Sequence, residues 1–230
     1  MKINKNTILI TGGATGIGYS MAKYFYKRDN TVIICGRRED RLARAKKELP
    51  QINTVRCDIA NPDDRTMLFK NICDNFPKMN MLINNAGIQR DIDLTKGIYD
   101  FNNGENEIQI NLEAPILLSA LFTSFLSGKE NAVIVNVSSG LAFAMEYSTE
   151  FPVYCATKAG LHAFSVTQRA QLAPLGIKVI EIIPPMVESE LNMEGRKKRN
   201  MVKSPYMISS DDFVEKALAK MEQGMDEIKL

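Results

Sequence analysis

The stretch Thr7-Ile8-Leu9-Ile10-Thr11-Gly12-Gly13-Ala14-Thr15-Gly16-Ile17-Gly18 decides the architecture. A short β-branched run empties directly into a glycine-rich turn. Ile17, Met21, Ala22 and Phe25 then follow an i, i+4, i+5, i+8 spacing, which gives a helix over about 16–29 one buried face. Strand, glycine turn and helix in that order form the setting in which such a loop means a dinucleotide site. Gly12 permits the tight turn, Gly16 lets a pyrophosphate approach the backbone, and Gly18 lets helix pack on strand. Ala14, Thr15 and Ile17 complete the loop, whose N–H groups and helix dipole face the phosphates. Turns of this composition also serve as plain connectors, so the rest of the chain has to agree.

It does agree in rhythm. Strand candidates at 7–10, 31–34, 54–57, 81–83, 132–137 and 178–183 are rich in β-branched residues and mostly lack polar alternation, as strands buried on both faces should. A seventh, 227–230, carries less of this character. Helical segments at 38–49, 63–75, 105–126, 153–172 and 210–223 supply crossovers, with Pro50, Pro62, Pro77 and Gly128 near their boundaries. The expectation is an α/β fold: one doubly wound parallel sheet of six to seven strands with helices on both faces, in a single domain spanning 1–230.

Composition bounds the function. The 230 residues are 45% hydrophobic and 24% charged, enough for a packed core and inconsistent with disorder. A formal net charge of +2 is too small for general attraction to nucleic acid or an anionic membrane. Cys35, Cys57, Cys73 and Cys155 are scattered, with no zinc-type cluster, and read as reduced thiols. No run is expected to reach the roughly 18 apolar residues of a membrane span, and the amino terminus is too polar for a secretion signal. A cytoplasmic protein without nucleic-acid, membrane or metal partners is expected.

Ligands of such sheets bind at the carboxyl ends of the strands. At the second strand's end an acidic side chain would hydrogen-bond a ribose 2′-hydroxyl, but this chain has Cys35-Gly36-Arg37-Arg38. Two forked guanidiniums suit a 2′-phosphate, which favours NADP and leaves NAD as second choice. Plain solvated surface is the alternative for Arg37 and Arg38. Asp58 with Ile59, after the third strand, and Asn84-Asn85-Ala86-Gly87, after the fourth, stand on the same rim. Short polar groups there can bond an adenine edge or pin a turn, and Asp58 could equally cap the helix after Pro62.

Tyr154 and Lys158 lie at i and i+4 on one helix face. The spacing recurs at Tyr19 and Lys23, so only its setting is informative. Tyr19 and Lys23 belong to the helix that faces the pyrophosphate and read as surface. Tyr154 instead follows Asn136-Val137-Ser138-Ser139-Gly140, which puts hydroxyls on the ligand rim. To act as a base near neutral pH a phenol of pKa ~10 must fall by about 2–3, on the order of 3–4 kcal/mol. An ammonium at ~4 Å and an effective dielectric of ~20 supplies about 4 kcal/mol.

Together these residues resemble the short-chain dehydrogenases/reductases, the subgroup of about 250 residues with a TGxxxGxG loop. The resemblance covers nearly the whole chain. It rests on 11–18, Asp58, 84–87, Asn111, Ser138-Ser139, Tyr154 with Lys158, and 184–189, all in the family's order. Ile88-Gln89-Arg90-Asp91 and Pro184-Pro185-Met186-Val187 are further similar to a bacterial branch encoded with D-alanylation genes. The resemblance implies a Rossmann fold and an oxidoreductase interconverting a carbonyl and an alcohol on a small or medium organic substrate. In it Tyr154 would be general acid in reduction and base in oxidation, and Lys158 would lower its pKa and hold the nicotinamide ribose. Ser139, rather than Ser138, would bond the reacting oxygen, and Asn111 would bind a water linking Lys158 to solvent. A helix-interior Asn bonded to backbone is the other reading of Asn111. Pro184, Val187 and Ser189 would line the nicotinamide end.

The chain also departs from that family. Pro185 replaces a usual Gly and removes one N–H near the cofactor; Ser139 and Tyr154 are about two residues further apart than usual; Ser189 stands where a Thr is common. The chain stops at Leu230, earlier than most relatives, which exposes the last strand to fraying. Substrate-lining segments fall near 90–101, 141–151 and 188–207.

Other features have bland readings. His162, with no acidic neighbour in sequence, reads as packing or surface, and Cys155 as a small buried hydrophobe. Arg196-Lys197-Lys198-Arg199 reads as solvated charge on an irregular excursion, with attraction of an anionic substrate the sharper option. Met145, Met186, Met193 and Met201 would suit an adaptable pocket but read mostly as filling. Homo-oligomers are common among the relatives through the helices at 105–126 and 153–172, whose Leu117, Leu121 and Phe125 could serve core or interface. A cofactor-binding regulator without turnover and a nucleic-acid protein are the rivals. Intact Ser139, Tyr154 and Lys158 oppose the first, and near-neutral charge the second.

Overall fold

The computed structural model describes residues 2–144, 148–199 and 205–230. Seven strands, β1 Thr7–Thr11, β2 Thr31–Gly36, β3 Asn53–Arg56, β4 Met81–Asn84, β5 Val133–Val137, β6 Lys178–Ile183 and β7 Glu227–Lys229, form one parallel sheet of order β3-β2-β1-β4-β5-β6-β7. The chain winds outward from β1 to β3, then crosses back to place β4 on the other side of β1. That reversal opens a crevice at the carboxyl ends of β1 and β4, where the glycine loop leaves the sheet.

Strand alternation assigns each face its helices. Ile8 and Ile10 point to one side with Val32, Ile34, Met81, Ile83, Val133 and Val135. There they meet α1 (Gly16–Tyr26), α2 (Glu39–Glu48) and α8 (Ser210–Glu222) through Met21, Phe25, Leu42, Phe213 and Leu218. Leu9, Ile33, Leu82, Ile134 and Val179 point to the other side. They meet α3 (Pro62–Asn75), α5 (Ala114–Leu126) and α6 (Pro152–Leu172) through Leu68, Ile72, Leu118, Phe122 and Leu172. Phe122 meets Phe69 edge to face at 5.1 Å and Phe125 at 6.2 Å. Two short helices sit over the carboxyl rim, α4 (Tyr99–Asn102) and α7 (Met193–Lys198).

Several expectations need correction. The helix expected from 105 begins after Asn106, whose carboxamide oxygen accepts from the N–H groups of Ile108 and Gln109. It also opens through a π turn, Gln109–Glu113. Pro115 explains the turn, because it has no N–H to offer the carbonyl one turn back at Asn111. The segment Gln109–Leu126 is long and apolar enough to span a membrane by length and composition, contrary to expectation. Its apolarity goes into the core through Ala114, Leu118, Phe122 and Leu126. The basic run forms α7 rather than an irregular excursion; Lys197 and Lys198 are exposed, but Arg196 and Arg199 are half-buried. The last strand is not frayed: Ile228 is fully buried and pairs with Ile182.

The sheet centre carries a polar network that no motif announced. Asn84 Nδ2 donates to Asn136 Oδ1 (3.0 Å) on the neighbouring strand and to Ser119 Oγ (3.1 Å) on α5. Asn136 Nδ2 donates in turn to Ser165 Oγ and Gln168 Oε1 of α6, both at 2.9 Å. These side chains tie β4, β5, α5 and α6 together just below the rim. Truncation of Asn136 strands three partners in a dry interior, so Asn136→Ala should lower unfolding free energy by about 2–4 kcal/mol, measured by urea denaturation.

Candidate active site

The glycine loop is held against β4 by side chains. Thr11 Oγ1 accepts from the N–H groups of Asn85 and Ala86, both at 3.0 Å, and donates to Ile83 O. Asn85 Nδ2 donates to Thr11 O at 2.9 Å, and Gly12 N donates to Cys35 O. Asn85 thus braces the turn from beneath. A Cβ on Gly18 would sit 2.4 Å from both Asn85 Nδ2 and Gly12 O, so only glycine lets α1 start this close to the strand. Gly16 has φ +55°, and a Cβ there would approach Ser189 at 3.2 Å across the crevice. Gly16 and Ser189 therefore form the two lips of one cradle. Thr15 precedes α1 without a side-chain cap, and the first turn of α1 carries no acidic residue. The positive end of that helix is thus open to an anion.

Arg37 and Arg38 stand at the tip of β2. Arg37 Nη1 bonds Glu105 and lies 3.9 Å from Asp58; Arg38 reaches Glu190 at 3.1 Å and Thr15 Oγ1 at 3.4 Å. Asp58 Oδ1 accepts from Ala60 N and so pins its own turn; Asn61 caps α3 in its place. Ile59 turns its side chain into the core beneath the rim.

Beyond Gly87 the crevice deepens into a cavity of about 410 Å³. Ile17, Asn85 and Gly87 line it on one side, Ser138, Ser139, Tyr154 and Lys158 on another, and Pro184, Val187 and Ser189 on a third. Tyr154 and Lys158 are on the first two turns of α6, which Pro152 opens. The i, i+4 spacing aims both into the cavity, with Lys158 Nζ 5.7 Å from the Tyr154 ring centre. Lys158 is only 4% exposed and donates to Val137 O at 2.9 Å. Ser139 Oγ accepts from Leu141 N and interacts with the Tyr154 hydroxyl. Asn111 Oδ1 accepts from Ile88 N at 2.8 Å, and its Nδ2 donates to Ile88 O at 2.8 Å and Thr157 Oγ1 at 3.3 Å. It locks the π turn to the loop after β4. Asn111 and Lys158 both border Gly87, where an added Cβ would lie 3.2 Å from Asn111 Oδ1 and 3.5 Å from Lys158 Nζ.

The electrostatics differ from the expectation of an ammonium-acidified phenol. Burial pushes Tyr154 up to about 12; the Ser139 hydrogen bond is the largest opposing influence, and Arg196 also pulls it down. Burial likewise pulls Lys158 down to about 8, and Glu181 counters that. At neutral pH the phenol therefore keeps its proton and is a proton donor. Glu181, fully buried on β6, also bonds His162 Nδ1 at 2.8 Å, so His162 does have an acidic partner, brought by the sheet rather than by sequence.

Tyr19 and Lys23 stay away from this cavity. They bond Glu48 and Asp211 along an adjoining groove of about 710 Å³, which shares Ser189, Arg196 and Met207 with the cavity. Met186 lines the inner cavity and Met193 the outer groove, whereas Met145 and Met201 lie outside the described residues, as do 145–147 and 200–204 of the expected substrate segments. Cys155 is buried beside the reactive Tyr, as expected of a small hydrophobe.

The profile described as "short chain dehydrogenase" matches residues 6–200. The chain belongs to the short-chain dehydrogenase family. It is similar to a Bacillus subtilis protein named "Uncharacterized oxidoreductase DltE", 46% identical over 99% of this chain and 89% of that one. This similarity bears out the finer placement in that bacterial branch. Mouse 15-hydroxyprostaglandin dehydrogenase [NAD(+)] is 30% identical over 87% of this chain and 74% of its own length. A solved short-chain dehydrogenase from Sphingobium yanoikuyae in complex with NADPH superposes with a TM-score of 0.80 at 26% identity, covering 97% of this chain and 87% of that chain. The chain is thus an oxidoreductase of the dehydrogenase and reductase kind.

Glu107 is the site residue that motif reading missed, because nothing in its spacing marks it. It is buried, accepts from Arg90 N at 3.0 Å, and leaves Oε2 without a partner among the described residues. Burial pushes it up to about 7, and its charge raises Tyr154 further. A carboxyl raised in the folded state binds a proton there that the unfolded chain has already lost, so stability should fall as pH rises from about 4.5 to 7. Glu107→Gln should remove that slope and be more stable than the parent at pH 8 by on the order of 2 kcal/mol, measured by denaturation across pH.

Proposed function

We propose that this enzyme interconverts a carbonyl and an alcohol on a small or medium organic molecule, with NADP as cofactor. The observation that carries the reading is the meeting of Ser139, Tyr154 and Lys158 on one wall of a cavity that continues into the glycine cradle. The cradle suits a nicotinamide dinucleotide. Gly12, Ala14, Thr15, Gly16, Ile17 and Gly18, at an uncapped helix N-terminus, would hold the pyrophosphate; Asp58, Ile59, Asn85, Ala86 and Gly87 would border the adenosine half. Tyr154, Lys158, Pro184, Val187 and Ser189 would border the nicotinamide half. When bound, the cofactor supplies or accepts the hydride.

The chain's own residues handle the oxygen and the proton. Ser139 and Tyr154 would bond the carbonyl oxygen together, so charge that gathers there meets two donors in a dry pocket. Tyr154, protonated at rest, would pass its proton to that oxygen in reduction. Lys158 would then face the phenolate, its charge held toward it by the Val137 carbonyl and the Glu181 carboxylate behind. Asn111, fastened to the backbone of Ile88, would keep the loop at Gly87 open and Lys158 within reach of solvent.

The choice of NADP rests on Arg37 and Arg38, with no carboxylate at their own positions on the β2 tip. Relatives are named with either nucleotide, NADPH for the Sphingobium protein and NAD(+) for the prostaglandin dehydrogenase. Four free cysteines suit the reducing cytoplasm, and exposed Leu117 and Val166 on α5 and α6 suit pairing with a second copy.

Tyr154→Phe should lower kcat/KM for any accepted aldehyde or ketone by about 10²- to 10⁴-fold while calorimetry finds NADPH affinity kept. Equal turnover by the variant would remove the mechanism, and NADPH binding without turnover of any carbonyl by the parent would favour a non-catalytic regulator. Replacing Arg37 and Arg38 by Ala should cut the ratio of NADPH to NADH affinity by about tenfold or more, since each charged hydrogen bond is worth about 1.5–3 kcal/mol.

A further inference from the structure

The lid helix α7 offers the active cavity a cation whose charge nothing in the described structure neutralises. Asp91, on the loop after β4, grips α7 along one face. Its Oδ1 accepts from Asn192 Nδ2 at 2.7 Å, its Oδ2 bonds Arg199, and Gly195 leaves room for it, since a Cβ there would lie 2.7 Å from Asp91 Oδ2. Arg199 is further engaged over the Phe151 ring, 4.9 Å from its centre. Asn192, Gly195 and Arg199 lie at i, i+3 and i+7, so this grip sets the rotation of the helix. Arg196, four residues after Asn192, flanks that face and lines, as Arg199 also does, the cavity that holds Tyr154 and Ser139.

Arg196 is half-buried, yet its only hydrogen bond among the described residues is a long one, 3.4 Å, to Ser189 O, and none of their carboxylates pairs with it. A guanidinium withdrawn from water with its fork unfilled is costly, and the fork matches a carboxylate or phosphate. Glu150 lines the same cavity, and Glu188 and Glu190 the outer groove, but none of them forms an ion pair with Arg196; Leu141, Leu191 and Met207 are apolar, and Lys158 is a second cation. Arg196 opposes the upward shift of Tyr154, which places the two groups within electrostatic reach.

Resting on the proposed carbonyl chemistry, we propose that the substrate is an anionic carbonyl compound, whose carboxylate or phosphate docks on Arg196 while its carbonyl oxygen meets Ser139 and Tyr154. The anion sets selectivity, and the apolar walls accept the chain between the two groups.

The test compares charged and neutral partners: 4-oxopentanoate against its methyl ester, and hydroxyacetone phosphate against hydroxyacetone, each with NADPH. The parent should prefer the anion of at least one pair by about tenfold or more in kcat/KM, about 1.4 kcal/mol. Which pair shows the preference tells carboxylate from phosphate. Arg196→Leu should bring that ratio to about one, Arg196→Lys should restore part of it, and Lys198→Leu, on the exposed face of the same helix, should leave it within about twofold. A parent ratio near one in both pairs, or a ratio that survives Arg196→Leu, overturns the inference and leaves the oxidoreductase reading standing. Loss of NADPH affinity in Arg196→Leu with the ratio intact assigns the guanidinium to the nucleotide and also overturns it. If the parent turns over none of these carbonyls, calorimetric binding of the same four compounds to the NADPH-loaded protein decides the anion site by itself. Tighter binding of an anion, abolished in Arg196→Leu, upholds it, and equal binding of charged and neutral partners ends it.

Discussion

A lysine ammonium almost wholly out of water is the constraint around which the site is built. Lys158 stands at the floor of the cavity with one carbonyl, that of Val137, as its hydrogen-bond partner. Such burial disfavours the charge, and pulls Lys158 down to about 8. Glu181 works against this from inside the sheet, and is itself held by His162. The active face thus rests on a line of polar groups running from His162 on α6 through Glu181 on β6 to Lys158 beside the reactive phenol. Removing Glu181 would leave the Lys158 charge without its counterweight, and in a low-dielectric interior an unpaired charge is costly.

The sheet order makes that line possible. Glu181 is on β6, His162 and Lys158 on α6, and Val137 at the end of β5, whose register pairs Asn136 with Glu181 and Val137 with Ile182. The same strand tips carry Ser138 and Ser139 upward. On the opposite side of the crevice, Asn85 fastens the glycine loop to β4, so the two halves meet across one gap of fixed width. Nothing in the gap depends on a long loop alone: the buried contacts of Asn84 and Asn136 set the relative height of β4, β5, α5 and α6 beneath it.

What could be read from sequence was what local chemistry dictates. The strands at 7–10 and 178–183 show themselves by β-branched runs, the loop by glycines that a Cβ would obstruct, and Tyr154 with Lys158 by helical spacing next to a hydroxyl-bearing strand end. What could not be read comes from long-range assembly. His162 finds Glu181 nineteen positions away because α6 packs on β6. Glu107 looks like any helix-surface acid until the fold buries it under Arg90 N. The π turn had a local cause in Pro115, a signal lost inside an otherwise helical pattern. The basic run was misread for a different reason: charge density suggests solvent, but Asp91, a hundred positions away in sequence, turns one arginine into a strut and leaves its neighbour facing the cavity.

The cations at the β2 tip and the cation on α7 illustrate two uses of the same side chain. Arg37 and Arg38 are exposed and already share Glu105, Asp58 and Glu190, so a 2′-phosphate would have to displace carboxylates that are cheap to release into water. That exchange gives discrimination between nucleotides at little cost to the resting fold. Arg196 is the reverse case. Withdrawn behind the lid, with Asp91 committed to Arg199, it has no carboxylate to surrender among the described residues. A guanidinium in that position gains its partner only when something else brings one, so the strength of its bond is available for recognition rather than spent in holding the helix down.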